Sequence, residues 1–346
     1  MRILIVSQYF PPEMGAPAGR FYDFAQNWLA QGHQVTVVTG FPNFPGGEIH
    51  EGYRGELFRS EVVDGIAVER CFVLTANRRL MGRPLAYATF LLSSCLRVIF
   101  SRLQYDCVIA TSPPPTVGLP GLLAAWRRRV PLVFDIRDIW PEAIVQSGRL
   151  RSRPVIWLFE AIARTLYRLS SRITTVTDGW KARLVEVGVP DAKVHVLPNG
   201  VDLAAFDAQS SEELPEAFRA LEPGAHWFTY AGILNAPQGL DIVLDAAAAL
   251  RERDADAYRK CQFVLVGEGP KGAELEAQRA RLGLDRVVFV PRQPRSAVFS
   301  LLRRSFAVLV TLRPRKDTST VPSKLYESLA SGRPVLYQAA GDGAET

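Results

Sequence analysis

Short apolar runs alternate with stretches of helical period along nearly the whole chain. Residues 2–7 are aliphatic and β-branched and predict a strand. A Pro/Gly-rich loop follows. Phe21, Phe24, Ala25, Trp28 and Leu29 then share one side of a helix over 20–31 that stops at Gly32. Residues 34–39 predict a second strand, and 56–60 with 66–73 predict a hairpin around Asp64-Gly65. Helices over 84–102, 117–128, 155–169 and 180–187 alternate with strands over 107–110, 131–135, 172–176 and 194–197. Repeated β-α-β order means a parallel sheet with helices on both faces.

The alternation lapses over 203–225, which is acidic and rich in small residues around Ser210-Ser211-Glu212-Glu213 and is expected to be a linker. It resumes with strands over 227–231, 263–267, 287–290, 307–310 and 334–337, and helices over 240–251, 272–282, 297–303 and 323–331. The expected architecture is therefore α/β: two Rossmann-like, doubly wound parallel-sheet domains, 1–202 and 226–346, facing a cleft. In such sheets ligands bind outside the carboxyl ends of the strands.

Composition agrees with a folded chain of two domains: 346 residues, 48% hydrophobic and 22% charged. Charge is uneven. Residues 78–172 hold 15 basic against 5 acidic residues, a net of +10, whereas 203–346 balance at 18 against 18. A local basic excess points to an anionic partner. The four cysteines are far apart with no CxxC pair, which suits a reducing cytosol and neither a disulfide framework nor a zinc site. No histidine has metal-ligand spacing, and His33 reads as closing a helix–strand turn. The N-terminal apolar run is too short for a signal peptide, and 85–100 is broken by Ser93, Ser94 and Arg97, so it falls short of a membrane span.

Several residues carry candidate chemistry. Gly15 and Gly19 lie in the first βα loop, where a glycine lets backbone N–H groups approach a phosphate; the alternative is a plain turn. Asp135, Arg137 and Asp138 follow a buried strand. They either line a polar cleft or form an internal ion-pair cluster that fixes the Trp140-Pro141 turn. Arg164, Arg168 and Arg172, at i, i+4 and i+8, are expected on one helix face, and Arg127, Arg128 and Arg129 end another helix. With the apolar stretch 85–100 they suggest either a solvated face over a core helix or a peripheral membrane surface. Nucleic acid is excluded as a partner, since no recognition motif is present and no aromatics interleave with the basic residues.

Five segments, in order, resemble a retaining glycosyltransferase of family 4 with the GT-B architecture: Ile3-Leu4-Ile5-Val6-Ser7-Gln8-Tyr9-Phe10-Pro11-Pro12-Glu13; Gly32-His33-Gln34-Val35 through Gly40-Phe41-Pro42-Asn43; Phe134-Asp135-Ile136-Arg137-Asp138-Ile139-Trp140-Pro141-Glu142; Leu197-Pro198-Asn199-Gly200-Val201-Asp202; and Val321-Pro322-Ser323-Lys324-Leu325-Tyr326-Glu327 through Gly332-Arg333-Pro334-Val335. The third resembles the branch that builds bacterial surface polysaccharides, near fucosamine and similar amino-sugar transferases.

The resemblance implies that a nucleotide diphosphate sugar, expected to be a UDP-sugar, is a substrate and that no cofactor or metal is needed. It implies a polyprenyl-diphosphate-linked acceptor, hence a cytoplasmic protein peripheral to the inner membrane. Glu327 would accept both ribose hydroxyls, since a carboxylate offers two acceptor oxygens. Ser319, Val321 and Ser323 would cradle the diphosphate and Lys324 would neutralise it. Gly15 becomes the close-approach residue. Asp138 and Glu327 are the expected catalytic residues, with Asp135 and Arg137 on the acceptor or sugar. Two departures stand out. Ser319 occupies the place of a second glutamate eight residues before Glu327, and the loop 231–239 lacks the Arg and Lys that bind phosphate in the family. Gly232 and Asn235 are left to offer backbone or amide donors there, with Arg313, Arg315 and Lys316 as substitute cations. The family also continues beyond the strand at 334–337, so the chain is expected to be a fragment or truncated. A non-catalytic remnant and a nucleotide-sugar epimerase of the same fold are the competing readings.

Overall fold

The computed structural model describes residues 1–13, 16–43, 47–75, 82–142, 145, 152–211, 213–313 and 321–339. The chain divides into two compact units, Met1–Pro198 and Asn199–Thr346.

In the first unit the chain runs β1 (Arg2–Ser7), α1 (Ala16–Ala30), β2 (Gln34–Gly40), β3 (Phe58–Val63), β4 (Ile66–Cys71), α2 (Gly82–Phe100), β5 (Cys107–Thr111), α3 (Gly118–Arg128), β6 (Leu132–Ile136), α4 (Arg153–Leu169), β7 (Arg172–Thr175), α5 (Asp178–Glu186) and β8 (Val194–Val196). The eight strands lie in the order β3-β4-β2-β1-β5-β6-β7-β8, parallel except for the antiparallel β3–β4 hairpin. That hairpin turns at Asp64 and Gly65, both at positive φ (48° and 83°), as a tight two-residue turn requires. The central strands are buried on both faces, which is why β1 and β2 read as nearly unbroken aliphatic runs. Phe21 and Ala25 of α1 pack with Ile3, Ile5, Val35 and Val37 in one cluster. Phe90 and Val98 of α2, Ala124 of α3 and Leu166 of α4 pack in another with Leu4, Val6, Val108 and Phe134. Alternate strand residues thus feed opposite faces.

In the second unit come α6 (Leu203–Gln209), β9 (His226–Ala231), α7 (Asp241–Arg253), α8 (Ala255–Lys260), β10 (Cys261–Val266), α9 (Gly272–Arg281), β11 (Val287–Val290), α10 (Arg295–Arg304), β12 (Ala307–Thr311), α11 (Lys324–Ala330) and β13 (Val335–Gln338). The order β11-β10-β9-β12-β13 is wholly parallel and reverses direction between β9 and β12. The carboxyl ends of those two strands are the topological switch point, where such sheets take their ligands.

The stretch 203–225, expected to be a linker, is instead part of the second unit. Asp202 caps α6 by accepting the Ala205 N–H at 2.9 Å. Phe206, fully buried, meets Phe299 of α10 with ring centroids 4.3 Å apart. Phe218 and Leu221 join Val264, Val266 and Leu301 in one apolar cluster. A few large apolar residues spaced among small and acidic ones carry this packing, so no periodic run announces it. The helix α8 was also not anticipated; it is capped by Asp254 at the Ala257 N–H.

Candidate active site

At the switch point of the second unit, β9 ends at Ala231 and the chain turns through Gly232 (φ +152°) to Gly239 (φ +61°) before α7. Lys324, the first residue of α11, reaches this turn. Its Nζ donates to the Tyr230 hydroxyl and to Gln238 Oε1, each at 2.6 Å, and lies 3.9 Å from the centre of the Tyr230 ring. The Tyr230 hydroxyl donates onward to the Ile233 carbonyl at 3.0 Å. Burial pushes the Lys324 ammonium down to about 7, with the charge of Glu327 pulling the other way. Two neutral oxygens and one ring face solvate this cation poorly, so an anion arriving there would find a charge that the protein leaves under-compensated.

Gly232 makes the arrangement possible. A Cβ built on it would lie 2.8 Å from Lys324 Nζ and 3.0 Å from the Tyr230 hydroxyl. Its own N–H is spent on the Val266 carbonyl, and that of Asn235 on the Ile233 carbonyl. The backbone N–H groups of both residues are thus already engaged, which leaves the Asn235 side-chain amide as the donor expected of this loop, and Lys324 of α11 sets its ammonium beside the loop. The Asn235 side chain contributes a buried Oδ1 with no hydrogen-bond partner among the described residues. Arg313, expected as a substitute cation, pairs with Asp241 at 2.7 Å on the surface. Ser323 immediately precedes α11 without a side-chain capping bond. Gly15, Arg315, Lys316 and Ser319 lie outside the described residues.

Glu327 follows Lys324 by three residues on α11, so the two side chains share one face of the helix. Arg295 of α10 contacts its Oε1 through Nε at 3.1 Å and through a terminal nitrogen at 3.0 Å. The turn after β10 approaches from the other side: a Cβ at Gly267 (φ +138°) would lie 1.9 Å from the Gly232 carbonyl oxygen. Gly267-Glu268-Gly269-Pro270 is thus a structural βα turn, and it braces the β9 loop through the Leu234 N–H, which donates to the Glu268 carbonyl at 3.0 Å.

In the first unit Asp135 ends up almost completely buried on β6. Oδ2 accepts from Thr111, 2.9 Å away, and Oδ1 from Thr174 at 2.8 Å, with an Arg20 nitrogen 3.5 Å from Oδ1. Arg20 also donates to the carbonyls of Leu197 (2.7 Å) and Pro198 (2.9 Å). Both carboxylate oxygens are committed within the protein, which is the internal ion-pair cluster and not an open sugar contact. Arg137 differs. Its Nε is buried and has no hydrogen-bond partner among the described residues. Burial lowers its pKa, Asp135 and Asp138 oppose that, and Arg20 adds like-charge repulsion. Asp138 lies half-buried in the bend after β6.

The six arginines expected on a membrane face all lie in the first unit. Arg127, Arg129, Arg164, Arg168 and Arg172 are exposed, and Arg128 is half-buried. Arg172 does not continue the helical series: α4 ends at Leu169, where the Ser170 hydroxyl bonds back to the Leu166 carbonyl, and Arg172 opens β7. Leu92, Leu96 and Phe100 of α2, Trp126 of α3 and Trp157 of α4 are exposed large apolar residues. Among the described residues no helix is long and apolar enough to cross a membrane, and no group of three or more His, Cys, Asp or Glu is placed to hold a metal.

Residues 15–200 match the family model of a glycosyl transferase 4-like domain, and residues 225–346 that of glycosyl transferases group 1. The chain belongs to the glycosyltransferase 4-like family. This glycosyltransferase is 26% identical over 341 residues to WcaI of Escherichia coli K12, described as a colanic acid biosynthesis glycosyl transferase; the match spans 96% of this chain and 82% of WcaI. Among solved structures it resembles HepE of Anabaena in complex with UDP-glucose (TM-score 0.65, 20% identity, 100% of this chain and 82% of HepE). It also resembles WaaG, a glycosyltransferase involved in lipopolysaccharide biosynthesis (TM-score 0.65, 18% identity, 100% of this chain and 83% of WaaG). The fold of this glycosyltransferase, two parallel-sheet α/β units, is that of the GT-B enzymes.

Proposed function

We propose that this glycosyltransferase moves a sugar from a UDP-sugar to a polyprenyl-diphosphate-linked acceptor in the building of a bacterial surface polysaccharide, with retention at the anomeric carbon. The observation that carries the reading is the pairing of the under-compensated Lys324 ammonium with the Glu327 carboxylate on one face of α11, at the switch point. Lys324 faces the diphosphate, and Glu327 accepts from the ribose hydroxyls. As the glycosidic bond breaks, negative charge grows on the departing diphosphate, and a cation already stripped of water stabilises it without reorganising. Arg137, half-buried at the carboxyl end of β6, takes an oxygen of the acceptor or sugar through its guanidinium, and Asp138 beside it in sequence meets the acceptor hydroxyl. WcaI's description and the UDP-glucose complex of HepE support the polysaccharide role and the uridine donor. Calorimetric titration of the full chain with UDP tests this. Saturable binding that weakens about tenfold or more in E327Q is expected, because hydrogen bonds to a charged acceptor are among the stronger ones. Release of UDP from a UDP-sugar should then require a lipid-linked acceptor. Folded protein that binds no UDP would instead favour a non-catalytic remnant.

The acceptor's lipid anchor calls for a membrane-facing surface. The exposed apolar residues of α2, α3 and α4, interspersed with Arg127, Arg128, Arg129, Arg164, Arg168 and Arg172, suit an anionic bilayer at cytoplasmic pH. Co-sedimentation with vesicles containing phosphatidylglycerol should be strong at low salt. The affinity should fall about a hundredfold or more in a variant carrying R127E, R128E and R129E, each basic side chain contributing about 1 kcal/mol. Equal sedimentation with neutral phosphatidylcholine vesicles would remove the electrostatic part of the proposal.

A further inference from the structure

Glu327 is held by a neighbour that the sequence motif does not contain. Arg295 is the first residue of α10, and both its Nε and a terminal nitrogen approach the same oxygen, Oε1, at 3.1 and 3.0 Å. The two side chains are 36% and 31% exposed. Arg295 is itself fixed from below: its guanidinium lies over the ring of Phe299, one turn along α10, 5.1 Å from the centroid. Phe299 is buried and packs on Phe206 of α6. A second tie joins the same two helices, Arg303 to Asp207 at 2.5 Å.

A glutamate on a helix surface samples several rotamers, and binding a diol with both oxygens requires one of them. A half-exposed ion pair adds little to folding stability, so the value of this contact lies elsewhere. The planar guanidinium loses little freedom on engaging a carboxylate when it is already stacked on an aromatic ring.

We propose that Arg295 is a positioning residue for ribose recognition: packed on Phe299 and through it on Phe206, it holds the Glu327 carboxylate in the orientation that accepts from the ribose hydroxyls. The inference rests on the reading of Glu327 as the ribose acceptor. It also gives α6 a role, since its docking on α10 fixes the ring on which Arg295 lies.

The test compares affinities for UDP and 2′-deoxyuridine diphosphate, by calorimetry on the full chain, in the wild type, R295A, R295K and E327Q. The wild type is expected to favour UDP about tenfold or more, the scale of one hydrogen bond to a charged group. R295A should narrow that preference to about two- to threefold while its melting temperature stays near that of the wild type, because a half-exposed pair contributes little stability. R295K should recover part of the preference. A residue that only shaped the fold would weaken both ligands alike and leave their ratio unchanged. If R295A keeps the wild-type ratio while E327Q loses it, the positioning role is overturned and the ribose role of Glu327 stands. If E327Q itself keeps the ratio, the ribose role fails and the inference falls with it.

Discussion

Replacing Lys324 by methionine should lower kcat/KM for the nucleotide sugar by about a hundredfold or more, the loss expected when a charged group facing a developing anion is removed. Methionine keeps the unbranched apolar stem, so the fold of the β9 loop should survive. Removing a poorly solvated ammonium from beside Tyr230 is expected to leave stability unchanged or raised. The pH signature is more specific than the rate. In the free protein Lys324 titrates near 7, because burial favours the neutral amine. A bound diphosphate favours the charged form and raises that pKa. Below pH 7 the lysine is protonated with or without ligand, and binding of UDP moves no proton at this site. Above it the free amine is neutral while the bound one is charged, so binding takes up a proton and affinity falls as pH rises. At pH 8, calorimetry in two buffers of different ionisation enthalpy should show uptake approaching about one proton per UDP in the wild type. In K324M that uptake should vanish. Uptake that persists in K324M would assign the titration to another group and leave Lys324 without its role.

A substitution far smaller in volume should be nearly as damaging. At Gly267 an alanine Cβ would lie 1.9 Å from the Gly232 carbonyl oxygen, a distance that no rotamer change relieves because both partners are backbone. The position is also at φ +138°, where residues with a side chain are strained. The two turns must separate, and with them go the bond from the Leu234 N–H to the Glu268 carbonyl and the placement of Gly232 against Lys324. Gly267→Ala should cost about 3 kcal/mol or more, the range of steric and backbone-strain substitutions at special positions. Denaturant unfolding measures the loss, and UDP titration of whatever remains folded should show weakened binding. By contrast Gly272→Ala should be nearly silent, since its Cβ meets only the end of the Leu234 side chain at 3.7 Å. Equal stability of G267A and the wild type would mean that the two loops are not in the contact described.

Both predictions depend on contacts between residues far apart in sequence, and that is where the sequence was least legible. The element order was readable because the central strands are compact aliphatic runs and the helices beside them carry a one-sided apolar stripe, as in β1 followed by α1. Asp64-Gly65 announced its hairpin by residue type alone. Lys324 and Glu327 were legible as candidates through the resemblance of the segment 321–335 to the family's donor-site helix. What surrounds them was not. Tyr230 and Gln238 are 94 and 86 residues away from Lys324, and neither carries a pattern that marks it as a partner. The β9 loop lacks the family's Arg and Lys, and no pattern in the sequence tells that Lys324 of α11 reaches that loop to Tyr230 and Gln238. Asp135 and Arg137 are two residues apart on one strand end and look equivalent as letters. Only the hydroxyls of Thr111 and Thr174 and the reach of Arg20 distinguish the saturated carboxylate from the guanidinium whose Nε has no partner among the described residues. The α6 segment escaped notice for a related reason: one phenylalanine, Phe206, does most of its docking, and a single residue has no period.

The claim on which the functional account depends is that the turn after β9 and the start of α11 form the nucleotide site. A crystal structure of the full chain with UDP tests it most directly. The account predicts the diphosphate beside Gly232 with Lys324 Nζ within hydrogen-bonding distance of a phosphate oxygen, and the ribose hydroxyls on the Glu327 carboxylate. UDP bound at another place, with Lys324 still held by Tyr230 and Gln238 and Glu327 touching no ligand atom, would contradict it.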